Sequence, residues 1–229
     1  MSRTAEPPAA VKRSFAGPDR WDLDDHERAL LEPFADRWTQ LRVLDLGVGT
    51  GRTWFAFGWR AGRYVGVELI PELARRAVER TQGRATVLVA DAAQLPLPDS
   101  GFDLVCFSFN GLDYADPRTR ARILQEAARV LRPGGYLYFT THSLEWLLAR
   151  SVPDRRGELS EIERQRLAQL RADRSAGMVV LHDDVGNGTC YVTHDWELGE
   201  LRALGFLVTD VHDNNSSSRA YLAQTPGLP

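Results

Sequence analysis

Apolar runs of strand length alternate with segments of helical period from residue 42 to residue 143. The runs cover residues 42–47, 63–69, 85–91, 102–109 and 135–143, and the helical segments lie near 50–60, 71–82 and 117–131. Near-continuous apolar strands separated by helices are typical of a parallel sheet that is covered on both faces. The pattern therefore predicts an α/β fold with helices on both faces of the sheet.

The regular alternation ends after residue 143. Residues 157–175 are highly charged and predict a helix, and the runs at 178–184 and 189–195 flank VGNG, which indicates a hairpin. A helix over 196–206, preceded by His194 and capped by Asp195, leads to two last strands beginning near 206 and 219. We interpret the chain as a flexible arm at 1–20 and a single domain at 21–229, in which about 144–193 is an insertion.

Composition and charge exclude several classes of protein. The 229 residues include 28 basic and 31 acidic side chains, so the formal charge is −3, without the basic excess of a nucleic-acid-binding protein. The basic side chains of Arg75, Arg76, Arg80 and Arg84 are interpreted as the solvated face of a helix. No run approaches the ~18 apolar residues of a membrane span, and residues 1–20 lack the apolar core of a secretory signal. We expect a cytoplasmic protein with neither nucleic acid nor membrane as a partner.

The two cysteines, Cys106 and Cys190, are too few for a disulfide framework. Cys106 lies in an apolar run and is predicted to be a small core residue. No grouping of His, Cys and carboxylate side chains has metal-ligand spacing, so we predict no metal.

Three alternating glycines follow the first predicted strand, in VLDLGVGTGR at residues 43–52. Glycine permits a tight turn and brings bare backbone close to a ligand, because no Cβ stands in the way. In open parallel sheets, ligands bind beyond the carboxyl ends of the strands. The spacing is G-x-G-x-G rather than the G-x-G-x-x-G of dinucleotide sites. With Asp45 just before the glycines, it suits a ligand with a charged amino-acid end better than one with a pyrophosphate.

Acidic residues stand at the ends of three successive predicted strands. Asp45 could receive an ammonium group directly, through water, or by ordering the loop. Glu68 lies about twenty residues beyond the glycines, where a carboxylate accepts hydrogen bonds from ribose hydroxyls. Asp91 could accept a bond from an adenine amino group. Each acid alone could equally be a helix cap or a solvated loop residue, but together they predict a site for a cationic adenine nucleoside.

The chain resembles the class I S-adenosylmethionine-dependent methyltransferases in four motifs that stand in the family's order across roughly residues 40–142, namely VLDLGVGTGR, YVGVELIPELARRA, VADAAQLPLPDSGFDLV and RVLRPGGYLYF. Residues 194–225 resemble the family's closing helix and strand pair. The resemblance implies a Rossmann-like, mostly parallel seven-stranded sheet with an antiparallel last strand, and S-adenosylmethionine as the cofactor. By motif position, it implies that the cofactor is bound by Asp45, Gly47, Gly49, Gly51, Glu68, Leu69, Ile70, Asp91, Ala92, Ser108, Phe109 and Asn110.

Catalytic groups of such an enzyme are expected beyond the fourth and fifth strands, near SFNGLDY and THS. His142 is the candidate general base, because an imidazole titrates near neutral pH. Tyr114 and Asp113 are candidates to orient an amine or hydroxyl nucleophile. The alternative for His142 is a capping role or a backbone hydrogen bond, and for the other two a packing aromatic and a loop acid. His182 and His194 flank the predicted hairpin and could reach the site.

Two segments are hypothesised to cover the site. The first is the N-terminal region with Phe15, Trp21 and Trp38, and the second is the insertion, which carries Trp146 and Tyr191.

The sequence thus predicts a methyltransferase that acts on an N or O nucleophile of a small molecule. Two alternatives stay open: a nicotinamide-dependent oxidoreductase on the same fold, and a noncatalytic module that binds S-adenosylmethionine. A protein acceptor and a homodimer are also compatible with the sequence.

Overall fold

A computed structural model describes residues 23–149, 177–182, 187–213 and 217–227. The predicted arm at 1–20 and the predicted helix at 157–175 lie outside these residues. The described helices are α1 (Asp25–Leu31), α2 (Arg52–Ala56), α3 (Pro71–Arg80), α4 (Pro117–Val130), α5 (Leu144–Ala149) and α6 (His194–Ala203). The described strands are β1 (Arg42–Leu46), β2 (Arg63–Glu68), β3 (Thr86–Val89), β4 (Phe102–Phe107), β5 (Leu131–His142), β6 (Met178–His182), β7 (Gly188–Val192), β8 (Leu207–His212) and β9 (Ser218–Gln224).

Seven strands form one sheet in the order β3-β2-β1-β4-β5-β9-β8. The pairs from β3 to β5 are parallel, and β9 runs antiparallel between β5 and β8. The predicted α/β fold with an antiparallel last strand is confirmed. Because β1 and β4 lie side by side at the centre, the loops after these two strands meet at the carboxyl edge of the sheet.

The central strands are covered on both faces, as their continuous apolar sequences predict. Every residue of β4 is buried, and so is every residue of β1 after Arg42. One large apolar cluster includes Leu44, Leu46 and Val105, and a second includes Val43, Leu104 and Cys106. Alternate residues of β1 and β4 therefore belong to different clusters, which lie on opposite faces of the sheet.

Several boundaries differ from the sequence predictions. The third and fourth strands end at Val89 and Phe107 rather than at 91 and 109, and β5 begins at Leu131 rather than at 135. The last helix begins at His194, so the prediction that Asp195 caps it is wrong. Thr193 is the N-cap, because its hydroxyl accepts a hydrogen bond from the Trp196 backbone N–H.

The N-terminal part of the described chain packs into the core. Trp38 is buried and stacks on Phe57 at 4.7 Å between ring centroids. The hypothesis that Trp38 belongs to a lid is therefore wrong, while Phe15 and Trp21 lie outside the described residues.

The predicted hairpin in the insertion is present as an antiparallel pair of strands. β6 and β7 pair from Met178 opposite Val192 to His182 opposite Gly188. Val192 also bridges to Ser143 directly after β5, so the hairpin lies beside the carboxyl end of that strand. In the part of the chain that is described, no helix is long and apolar enough to cross a bilayer.

Candidate active site

The loop between β1 and α2 depends on its glycines. Gly47, Gly49 and Gly51 have φ angles of 63°, 55° and 94°, in the left-handed region that other residues rarely adopt. A Cβ on Gly47 would stand 2.7 Å from the Phe107 ring at the end of β4. The loop therefore turns tightly over the neighbouring strand, and its backbone is bare at the three glycines.

Asp45 is buried beneath this loop. Its carboxylate accepts hydrogen bonds from the Thr53 hydroxyl and, at 2.6 Å, from the Tyr64 hydroxyl. Burial raises the pKa of Asp45 to about 6, against the opposing effect of these two donors. Of the three roles considered for Asp45, this geometry favours ordering of the loop, because it ties the glycine segment to α2 and β2.

Glu68 faces the glycine loop from the end of β2. Its carboxylate accepts hydrogen bonds from the backbone N–H groups of Gly49 and Ile70, both at 2.9 Å. Burial outweighs these donors and raises the pKa of Glu68. Leu69 is 44% exposed while Ile70 is buried, so Leu69 offers an apolar surface beside the carboxylate.

Asp91 lies two residues beyond β3 and is half-buried, as is Ala92. The carboxylate of Asp91 accepts a hydrogen bond from the Ala93 backbone N–H at 2.8 Å. The structure therefore brings Asp45 and Glu68 against one loop, while Asp91 stands on the next loop along the same edge of the sheet.

A buried ion pair joins α1 to the end of the glycine loop. Arg52 donates two hydrogen bonds of 2.7 Å to the carboxylate of Glu27, and Ser108 bonds to both partners. Burial opposes the charge on Glu27, but the bonds and the attraction from Arg52 outweigh it and lower the pKa of Glu27 to about 2. Ser108, predicted beside the cofactor, is therefore held by these two side chains.

Two residues after β4 adopt the left-handed conformation without being glycine. Phe109 and Asn110 have φ angles of 58° and 55°. The backbone N–H of Asn110 donates to the Thr140 hydroxyl at 2.7 Å, and its side-chain amide donates to Ser218 at 2.6 Å. Such strained residues concentrate at functional sites, where the surrounding structure enforces them. Phe109 is held half-exposed, with the Arg52 guanidinium 5.2 Å from its ring centroid.

The three candidate catalytic residues are brought together at the carboxyl end of β5. Asp113 is fully buried and accepts hydrogen bonds from the His142 backbone N–H at 2.6 Å and from Nδ1 of the same residue at 3.0 Å. The Thr141 hydroxyl donates to the other carboxylate oxygen at 2.6 Å. Tyr114 and Tyr191 flank the imidazole, with ring centroids 6.4 and 5.1 Å away.

The other two histidine candidates have different surroundings. His194 stacks on Tyr221, whose hydroxyl lies 3.2 Å from Nδ1. His182 is exposed on the hairpin. Neither has a carboxylate on its ring among the described contacts, so His142 has the arrangement best suited to a base.

Sequence reasoning missed several charged residues around the site. Glu27 and Arg52 are two of them, although the position of Arg52 directly after the third glycine was an available signal. Arg80 is half-buried and donates to the Thr50 backbone carbonyl in the glycine loop at 3.0 Å. Its assignment to a solvated helix face is therefore wrong, because the side chain folds back onto the loop. Among the described residues, no group of His, Cys, Asp and Glu is arranged to hold a metal ion.

The glycine loop and Glu68 fit a nucleoside with an amino-acid end. The loop offers bare backbone at Gly49, where a Cβ would lie 3.9 Å from its nearest neighbour, the Gly47 carbonyl oxygen, and the N–H of Gly49 donates to the Glu68 carboxylate at the edge of the loop. Leu69, the next residue in the chain, supplies an exposed apolar surface. A sulfonium nucleoside needs these three features: close backbone approach, an acceptor for hydroxyl groups and an apolar face for the base.

Comparison with known proteins identifies relatives of this region. A family model described as Methyltransferase domain matches residues 43–135. The demethylmenaquinone methyltransferase of Thermus thermophilus is 39% identical over 101 residues, which are 42% of this chain and 44% of that protein. The chain spans about half or less of the length of the curated relatives it matches.

Solved structures share the fold over most of the chain. The 1,6-didemethyltoxoflavin-N1-methyltransferase of Burkholderia thailandensis, with S-adenosylhomocysteine bound, has a TM-score of 0.58 at 17% identity and covers 88% of this chain and 80% of its own. The [4+2]-cyclase SpnF has a TM-score of 0.62 at 18% identity, over 96% and 93% of the two chains. At these identities the likeness shows the fold alone, and the fold hosts more than one reaction.

Proposed function

We propose that the protein transfers a methyl group to an N or O nucleophile of a small molecule. Through residues 43–135, the chain belongs to the class I S-adenosylmethionine-dependent methyltransferases. The observation that carries the proposal is the Asp113–His142 pair, which lies at the same edge of the sheet as the glycine loop and Glu68. The pair supplies a base at the edge of the sheet where the glycine loop and Glu68 would hold the cofactor.

The glycine loop, Glu68 and Leu69 would hold the cofactor. When the cofactor is bound, Glu68 would accept hydrogen bonds from ribose hydroxyls, Leu69 would offer its apolar surface to the adenine, and Gly47 and Gly49 would present backbone to the methionine part. Asp45 keeps the loop in shape from below. When bound, S-adenosylmethionine supplies an electrophilic methyl group, so the protein has to position the acceptor and exclude water.

His142 acts as the general base. The Asp113 carboxylate, as an acceptor, fixes the proton of the imidazole on Nδ1. The lone pair of Nε2 is then available to take a proton from the acceptor's hydroxyl or amine. Tyr114 and Tyr191 stand on either side of the ring and orient the acceptor.

A small acceptor is supported by the relatives and by the charge of the chain. The names of one relative and of one protein with the same fold refer to demethylmenaquinone and 1,6-didemethyltoxoflavin, respectively. The net charge of −3 gives no general attraction for nucleic acid.

Calorimetry and a methyl-transfer assay test the proposal together. We expect S-adenosylhomocysteine to bind with measurable heat and NADH to give none. A panel of phenols, alcohols and amines is then assayed for formation of S-adenosylhomocysteine. His142→Gln should lower kcat by roughly 10²–10⁴-fold, the usual contribution of a general base, while the Kd for S-adenosylhomocysteine stays within about twofold.

The matched control is His212→Gln on β8, the edge strand separated from β5 by β9, which should leave kcat unchanged. Absence of heat with S-adenosylhomocysteine on folded protein would refute the cofactor assignment. Full kcat in His142→Gln would refute only the base. Tight binding without turnover across the panel would favour a noncatalytic module.

A further inference from the structure

A buried chain of charges extends from His142 into the body of the protein. Asp113 contacts the imidazole on one side, and the Arg120 guanidinium from α4 lies 3.7 Å from its carboxylate on the other. Arg120 in turn donates a hydrogen bond to Glu197 on α6. Asp113, Arg120 and Glu197 each have at most 1% of their surface exposed.

This arrangement is costly for packing alone. Nε and Nη1 of Arg120 and Oε1 of Glu197 are buried without a hydrogen-bond partner among the described residues. Replacing a buried ion pair by apolar side chains is often neutral or stabilising. A partly satisfied buried ion network thus has no clear advantage for stability, and this points to a role in the site that the network touches.

The order of the charges gives the network a direction. Asp113 carries the negative charge that faces the imidazole, Arg120 compensates part of it, and Glu197 neutralises part of Arg120. Trp196 covers the guanidinium at 5.3 Å and keeps it in place. Among the described contacts, Glu197 is connected to His142 through Arg120 and Asp113.

We propose that Arg120 and Glu197 are positioning residues for His142, which together set the charge that Asp113 presents to the imidazole and so hold its proton on Nδ1. The inference deepens the proposed function, because it rests on His142 as the base. Its test reads the imidazole directly and requires no turnover.

The other ionisable groups around this network do not produce the same effect. Burial raises the pKa of Tyr114 and raises that of Cys190 to about 11, so both stay neutral near neutral pH. Tyr191 contacts the ring from β7. On the side of β9, Arg219 pairs with Glu145 and Asp213, and these two carboxylates compensate its charge.

Burial raises the pKa of Glu197 against the attraction of Arg120. As the pH falls, Glu197 therefore loses its charge in the wild type, and the network comes to carry the same charges as in the Glu197→Gln variant.

The test is an NMR titration of the ¹⁵N-labelled histidines, with the His142 signals assigned by their loss in His142→Gln. The nitrogen shifts report both the tautomer and the pH midpoint of the ring. In Glu197→Gln the charge of Arg120 is no longer neutralised, so we expect the midpoint to move to lower pH. In Arg120→Met the charge of Asp113 is no longer compensated, so we expect it to move to higher pH. Each displacement should be on the order of one pH unit.

Matched controls separate this effect from a general loss of charge. Arg122→Met on α4 and Asp195→Asn on α6, both at exposed positions, should leave the midpoint at its wild-type value. Movement of both network variants in the same direction, as a loosened and more exposed ring would give, overturns the proposal, and so does no movement. If Arg120→Met does not fold, Glu197→Gln decides alone: a lower midpoint supports the network, and an unchanged or higher one overturns it. Opposite movements with no methyl transfer to any acceptor would retain the network and refute the proposed function.

Discussion

The ion pair between Glu27 and Arg52 allows a quantitative prediction about stability. The Glu27 side chain is fully buried and accepts hydrogen bonds from Arg52, from Ser108 and from the Asp24 backbone N–H. Glu27→Gln keeps the shape of the side chain but removes its charge. Arg52 is then left with a buried guanidinium whose partner is neutral, which is the costly way to break such a pair.

The magnitude follows from the pKa of Glu27. The pKa falls from its usual 4.5 to about 2 in the folded protein, and a gap of about 2.5 corresponds to roughly 3 kcal/mol of folding free energy at neutral pH. Removing one partner of a buried pair costs about 3–5 kcal/mol in other proteins. The two estimates agree, and we expect Glu27→Gln to lower the free energy of unfolding by about 3 kcal/mol.

The pH dependence gives a second signature of the same ion pair. Because the folded pKa lies below the unfolded one, the stabilisation by Glu27 is fully present above about pH 4.5 and is lost as the pH falls toward about 2. Wild type and variant should therefore differ most at neutral pH and converge in acid.

The assay is urea unfolding at several pH values, with Glu32→Gln as the exposed control on the adjoining turn. A loss below about 1 kcal/mol at pH 7, or a difference that does not shrink in acid, would refute the reasoning.

Two further predictions concern the glycine loop. Gly47→Ala should lower the free energy of unfolding by roughly 1–3 kcal/mol and weaken binding of S-adenosylhomocysteine in calorimetry, because Gly47 has a positive φ and lies against Phe107. Gly199→Ala, within α6 and with open space around it, should instead raise the free energy of unfolding by about 0.5–1 kcal/mol. Equal effects of the two substitutions would contradict this prediction. Burial raises the pKa of Asp45 to about 6, so ionisation of this carboxyl opposes folding. The stability of the wild type relative to Asp45→Asn should therefore fall by up to about 3 kcal/mol between about pH 4 and 7. Parallel pH profiles of the two proteins would contradict this prediction.

The sheet and the glycine loop could be predicted from the sequence because their signals are local. Continuous apolar runs mark strands that are buried on both faces, and three glycines after Asp45 leave few alternatives to a tight, exposed backbone. The approach of Asp113 to His142 follows at one further step, since His142 ends β5 and Asp113 lies on the turn after β4, the parallel neighbour of β5.

The buried ion pairs could not be predicted in the same way. Arg120 and Glu197 lie 77 positions apart on two helices, and each resembles a solvated helix residue when only its neighbours are considered. Glu27 lies on a seven-residue helix whose sequence gives no sign that its acid is buried. The pairing of distant charges depends on how helices pack against each other, and the periodicity within one helix carries no information about that packing.

The position of β9 between β5 and β8 has a consequence for biosynthesis. β9 is translated after every other described strand, yet it lies between β5 and β8 and supplies Ser218 to the turn at Asn110. In a nascent chain, one edge of β5 therefore stays unpaired until β9 emerges from the ribosome. The glycine loop, which follows β1 and is held by β2, can assemble earlier in translation than the strained turn at Phe109 and Asn110.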